Sequence, residues 1–180
     1  YIMDKFFNLY FPNEVLNLNF ENNNDYLFNL KDFIEGLKKA LPKVEEEVSI
    51  GKFNINSEDI KEVLSYSKEA TKIIFKNSKY NLEELKLDDV EYKIKEIKLE
   101  LDVDEGEENY LVDTGLTLLI EAIKKTSLQS SLKKITVNII VHSPKYHPIS
   151  PSQKRNLIKL YKEIDIMLIF EQQQTLYTPC

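Results

Sequence analysis

With 180 residues and 42% hydrophobic side chains, the chain is long enough to bury one continuous core, so a single domain over residues 1–180 is expected. Thirty acidic side chains against 24 Lys plus Arg give a net charge of -6, which disfavours general binding to phosphate backbones or anionic membrane surfaces. The only cysteine is Cys180, so no internal disulfide can form; this excludes a disulfide-stapled secreted scaffold and points to an intracellular location of unspecified compartment.

Elements alternate along the chain. A first strand is expected at Val15–Phe20, where apolar and polar residues alternate with the period of a half-buried strand. Leu27, Leu30, Ile34, Leu37 and Leu41 follow at helical steps, a face that Pro42 terminates. A second strand is expected at Glu47–Ile50, and a helix capped by Asn56 or Ser57 buries Ile60, Val63 and Leu64. Lys72–Phe75 reads as the third strand. The connection that follows is exceptional: Asn81–Asp88 has room for one irregular helical turn.

Glu96–Leu101 reads as the fourth strand, followed by an acidic loop from Asp102 to Asn109. Leu116, Leu119, Ile120 and Ile123 line a third helix, with Asp113 as its expected cap. Lys134–Ile140 is the fifth strand, and a loop from His142 to Pro151 comes next. The last helix opens at Ser150-Pro151-Ser152 and buries Leu157, Ile158, Tyr161 and Ile164. Ile166–Phe170 is the sixth strand. It is apolar on both faces, so a further repeat, the segment Thr175–Pro179 or a partner should cover it. Its apolar run, from Ile164, is far short of the ~20 residues needed to span a bilayer, so no membrane insertion is expected. The start of the sequence lacks the basic opening and cleavage site of a signal peptide.

Taking Leu16, Val48, Ile73, Ile97, Ile135 and Ile166 as equivalent points gives intervals of 32, 25, 24, 38 and 31 residues. Leucine-rich repeat units run to ~20–29 residues, so these are repeat lengths with insertions. The segment Leu111–Val137 carries a closer likeness: Asp113-Thr114-Gly115-Leu116, then Leu119-Ile120-Glu121-Ala122-Ile123, then Leu132-Lys133-Lys134-Ile135-Thr136-Val137. It resembles one unit of the ribonuclease-inhibitor subclass of leucine-rich repeats, with an Asp-x-Gly helix start and a strand reading Leu-x-x-Leu-x-Leu. On that reading Gly115 gives a tight turn into the helix, Ala122 allows close approach of helix and strand, and Ile135 and Val137 point into the core.

The resemblance implies an α/β fold: a right-handed solenoid, or horseshoe fragment, of five to six strand–helix units, with parallel strands on the concave face and helices on the convex face. The array is expected to be a divergent one, either whole or a fragment of a longer array. The asparagine that normally follows the strand is replaced by Phe53, Ser78, Asp102 and Ile140, of which Ser78 and Asp102 can still bond the turn backbone.

Chemistry-bearing clusters are sparse. His142 and His147 share a loop, yet no cysteine or carboxylate close by completes a tetrahedral set, so a surface loop is favoured over a metal site. Asp102, Asp104, Glu105, Glu107 and Glu108 lack the ligand order of a calcium loop around Gly106 and read as a solvated insertion, or an electrostatic contact for a basic partner. The four scattered glycines form no P-loop or dinucleotide fingerprint, and no Gly-x-Ser-x-Gly elbow occurs. No cofactor and no metal is expected.

The expected function is therefore non-catalytic: a protein-binding module or scaffold subunit, contacting its partner through the strand residues that alternate away from the core. These are Asn17, Asn19, Ser49, Lys52, Ile74 and Lys76 on the first three strands, and Lys98, Glu100, Thr136, Asn138 and Met167 on the rest. The alternative is a small doubly wound α/β enzyme whose site, with Asp102, Asp104 and His142, lies at the strand carboxyl ends. Strand order discriminates the two. A nucleic-acid role through Lys145, Lys154 and Arg155 ranks third.

Overall fold

Six strand-like segments, most of them alternating apolar with polar residues, place one hydrophobic row after another on the same side of a sheet, and the connections between them cover that side. The computed structural model describes residues 7–10, 16–103, 114–141, 151–163 and 166–174. Its elements run β1 (Phe7–Tyr10), β2 (Asn17–Asn22), β3 (Phe28–Asn29), α1 (Ile34–Ala40), β4 (Glu47–Gly51), β5 (Phe53–Asn56), α2 (Ser57–Tyr66), β6 (Lys72–Lys76) and β7 (Lys79–Asn81). They continue with β8 (Glu96–Val103), α3 (Leu116–Lys124), α4 (Leu128–Ser131), β9 (Lys134–Val141), α5 (Pro151–Glu163) and β10 (Met167–Gln174).

The fold is mixed α/β around a seven-stranded sheet ordered β1-β2-β4-β6-β8-β9-β10, in which only β1 runs antiparallel to its neighbour. Beside it lies a small parallel sheet ordered β3-β5-β7. The six expected strands are thus present and neighbour one another in chain order. Their register is Leu18↔Val48↔Ile73↔Ile97↔Ile135↔Leu168, which moves the first and last equivalent points two residues on from Leu16 and Ile166. Leu16 instead ends the approach to β2, its carbonyl accepting the N–H groups of Glu46 (2.9 Å) and Glu47 (3.4 Å).

That contact recurs in each following unit. Glu46 O accepts from Thr71 and Lys72, Thr71 O from Lys95 and Glu96, and Lys95 O from Lys133 and Lys134, all at 2.8–3.1 Å. Lys133 O then accepts from Met167 N at 2.9 Å. One carbonyl per unit therefore fixes the height of the next strand.

The inward residues Leu18, Phe20, Val48, Ile50, Ile73 and Phe75 are at most 1% exposed, as are Ile97, Leu99, Ile135, Val137 and Ile139. Phe20 stacks on Phe53 at 5.2 Å between centroids, and Phe33 meets both rings within 6 Å. Such aromatic pairs add about 0.5–1.5 kcal/mol beyond their burial.

After β4 and β6 the chain turns at register-equivalent residues, Lys52 (φ 65°) and Asn77 (φ 46°), both in the left-handed region. For a residue with a Cβ that conformation costs about 1–2 kcal/mol. Hydrogen bonds between successive turns offset it. Lys52 N donates to Lys76 O (2.9 Å), and the buried Ser78 hydroxyl donates to Lys76 O (3.0 Å) while accepting from Phe53 N (3.2 Å). Ser78 thus bonds turn backbone as its sequence position implies; the Asp102 side chain falls outside the described residues. Fully buried Asn22 does the same one unit earlier, donating to Lys52 O (2.9 Å) and Tyr26 O (3.0 Å) and accepting from Asn24 N (2.9 Å).

Several local expectations are corrected. The Leu27–Leu41 face is broken into β3, a 3-10 turn (Leu30–Asp32), α1 and a second 3-10 turn (Leu41–Lys43) that holds Pro42; Leu30, Ile34, Leu37 and Leu41 are nevertheless buried. Asn81–Asp88 forms no helical turn. The chain there is irregular, burying Leu82, Leu87, Tyr92 and Ile94 along its course, and Ser127 Oγ secures it by donating to Val90 O at 2.6 Å. Gly115 makes no tight turn, since its backbone is already helical (φ -61°, ψ -43°); Asp113 lies outside the described residues. Ala122, Ile135 and Val137 are buried as expected. α5 begins at Pro151, and Ile158, expected on its buried face, is 53% exposed; the side chains of Leu157, Tyr161 and Ile164 lie outside the described residues.

Of the two proposed caps for α2, Asn56 is used. Its Oδ1 accepts from Asp59 N (2.8 Å), and Asp59 Oδ2 accepts from Asn56 N (2.9 Å). Burial of the Asp59 carboxyl raises its pKa above the ordinary 3.8, the bond from Asn56 N–H opposing the shift. A raised folded-state pKa means that this group's contribution to stability is present below the unfolded value and is lost as pH rises through the folded one. Asp59→Asn should therefore flatten the fall in urea midpoint across the mildly acidic range; an unchanged pH profile would contradict this. Asn22→Ala leaves two turn carbonyls unpaired and should cost about 1–3 kcal/mol in urea denaturation, whereas a wild-type midpoint would show that the turn bonds are not coupled to folding.

Candidate functional site

Side chains on successive strands of the large sheet form rows on the side opposite the core, because parallel pairing in register sets equivalent residues next to one another. The first row is Asn17, Glu47, Lys72, Glu96, Lys134 and Met167. Glu96 bridges its neighbours, at 3.7 Å from Lys72 Nζ and 3.3 Å from Lys134 Nζ. Pairs this accessible to solvent are worth about 0–1 kcal/mol each, so the row adds little to stability.

The second row is Asn19, Ser49, Ile74, Lys98, Thr136 and Ile169, and the third is Glu21, Gly51, Lys76, Glu100, Asn138 and Glu171. Gly51 leaves a gap in the third row into which Glu21 and Lys76 close: a Cβ there would lie 3.2 Å from Glu21 Cγ and 3.5 Å from Lys76 Cβ. Asn138 Nδ2 donates to Glu100 Oε2 at 3.0 Å.

The residues expected at the binding surface divide into three groups. Asn17, Asn19, Lys76, Lys98 and Glu100 lie on the outer side and are half-buried, and Met167 there is 54% exposed. Ser49, Ile74, Thr136 and Asn138 lie on the same side but are only 1–8% exposed, so they underlie the surface rather than form it. Lys52 is not on a strand at all; it occupies the left-handed turn between β4 and β5.

Among the described residues, Asn19 Oδ1, Ser49 Oγ and Asn138 Oδ1 on the outer side have no hydrogen-bond partner, and all three are closed to solvent. An unpaired buried polar group costs about 1–3 kcal/mol, so the middle of the sheet is polar at the expense of stability. Sequence reasoning placed these residues on the correct side but missed their burial, because alternation reports direction and not depth.

His142, His147 and the acidic residues from Asp104 to Glu108 lie outside the described residues; Asp102 sits in β8, paired with Ile140. Among the described residues no three His, Cys, Asp or Glu side chains converge as a metal site would require, and no helix is long and apolar enough to cross a membrane. Tyr80, whose hydroxyl donates to Phe75 O (3.3 Å) and Glu100 O (3.1 Å), has its pKa pushed well up by burial and by the nearby Glu100 charge, and it serves to tie β7 to the main sheet.

No family model matches the chain, and no significant match was found to a curated protein or to a solved structure.

Ser49→Ala removes an unpaired buried hydroxyl without leaving a partner orphaned. It should raise the urea midpoint of the free protein by the equivalent of about 1 kcal/mol. A lowered midpoint would mean that Ser49 Oγ is satisfied in solution.

Proposed function

We propose that the chain is a non-catalytic interaction module of an intracellular complex, a divergent leucine-rich-repeat-like solenoid that holds a protein partner on the outer, concave side of its main sheet. The observation that carries this reading is the strand order. Six parallel strands neighbour one another in chain order, and each after the first is hung from the carbonyl of the unit before. A doubly wound enzyme would use a reversal of strand order to open a crevice at the strand carboxyl ends, and the described strands contain no such reversal.

The accessible part of this face suits a polypeptide. Alternating Glu47, Lys72, Glu96 and Lys134 present both signs of charge in one line, with Lys98, Lys76 and Glu100 beside them. Met167 at the end of the first row adds an exposed, flexible apolar anchor. Charges of this kind set orientation and partner choice, while an apolar group that becomes fully desolvated supplies affinity.

A polypeptide that copurifies with the chain, then titrated in pure form, should lose at least about tenfold in affinity, or about 1.4 kcal/mol, with Lys98→Glu plus Met167→Asp. Lys39→Glu, on exposed α1 surface, should leave it intact. Equal affinity for both variants would place the contact elsewhere.

A further inference from the structure

Helix α5 joins β9 to β10 and packs beside α3, on the side of the main sheet that holds the core. Its open face carries Arg155, Ile158, Lys159 and Lys162, all exposed. Steps of three and four residues set these side chains in one stripe along the helix. At the rise of an α-helix the stripe runs about 10 Å from Arg155 to Lys162. Ile158, 53% exposed, stands among the three cations.

The other long helices each neutralise a lysine within the helix. Lys38 on α1, Lys61 on α2 and Lys124 on α3 pair with the glutamate three residues earlier, Glu35, Glu58 and Glu121, at 2.9–3.4 Å. On α5 the places three residues before Arg155, Lys159 and Lys162 hold Ser152, Asn156 and Lys159. Among the described residues none of these three cations has an ion-pair partner. Like charges at three- and four-residue steps repel one another, so a ligand that brings negative charge is favoured on this face.

The length of the stripe and the residue in its midst choose between anions. A nucleic-acid duplex extends far beyond about 10 Å and would lie against the rest of a chain whose net charge is -6, the more acidic once the stripe is set aside. Its phosphates also offer nothing apolar to Ile158. A bilayer surface offers apolar contact, but helices that lie in it insert a broad apolar face, and this face has one aliphatic residue. A short acidic amphipathic helix satisfies both conditions. Carboxylates at matching steps reach the three cations while an apolar residue among them covers Ile158.

We infer that the exposed face of α5 docks an acidic amphipathic helix of a partner protein, at a site separate from the concave side of the main sheet. The test uses the full chain and a labelled peptide of about 20 residues, long enough to be helical alone, with glutamates at the spacing of Arg155, Lys159 and Lys162 and a leucine at that of Ile158. By fluorescence anisotropy this peptide should bind at least about tenfold more tightly than its glutamine counterpart. Arg155→Glu plus Lys159→Glu should lose that advantage and bind the lysine counterpart instead; both positions are exposed, so circular dichroism should match wild type. Ile158→Ser should weaken the glutamate peptide, whereas Lys98→Glu plus Met167→Asp, on the concave side, should bind it as wild type does. Absence of saturable binding, equal binding of the glutamate and glutamine peptides, undiminished binding to the α5 variant, loss of binding in the concave-side variant, or tighter binding of oligo(dT) or of phosphatidylserine vesicles would each overturn the inference.

Discussion

The structure depends on one repeated constraint: a single backbone carbonyl before each strand accepts the N–H groups that open the next. Leu16, Glu46, Thr71 and Lys95 each serve two donors in this way, and Lys133 serves Met167. Because the acceptor sits at the same height in every unit, the strands pair in register and the same position recurs in each row. The hydrophobic rows on one side and the charged rows on the other are both consequences of that register. A slip of one residue would exchange the two sides completely.

Magnitudes separate what holds the molecule from what it displays. Burying one large apolar side chain contributes about 1.5–3 kcal/mol, and the fully buried rows from Leu18 to Ile139 supply many such terms. The Lys72–Glu96–Lys134 chain of ion pairs is partly open to solvent and adds little. Stability therefore resides in the inward rows and in the turn bonds of Asn22 and Ser78.

Much of this was legible in the sequence. Short apolar segments, most of them alternating with polar residues, located six strands, and helical spacing located the buried residues of α2 and α3. What the sequence concealed has physical reasons. Phe53-Asn54-Ile55-Asn56 alternates like a strand, but it follows β4 after a single residue, and only the left-handed turn at Lys52 makes a second strand possible there. Asn22 opens the run Asn22-Asn23-Asn24, a composition that by itself suits a loop, yet the carbonyls it satisfies belong to residues as distant as Lys52. Ser49 and Asn138 alternate outward as read, and their depth depends on neighbours in the sheet that no linear pattern contains.

The account stands on chain-order stacking in register, and cysteine pairs on the outer first row test it most directly. With Cys180 replaced by Ser, a short thiol-specific cross-linker should join pairs placed at Glu47 and Lys72, Lys72 and Glu96, Glu96 and Lys134, or Lys134 and Met167, and should fail to join Glu47 and Lys134. Efficient linkage of Glu47 to Lys134, or failure of the neighbouring pairs in protein that remains folded, would mean that the strands are shuffled and would contradict the open platform on which the proposed function rests.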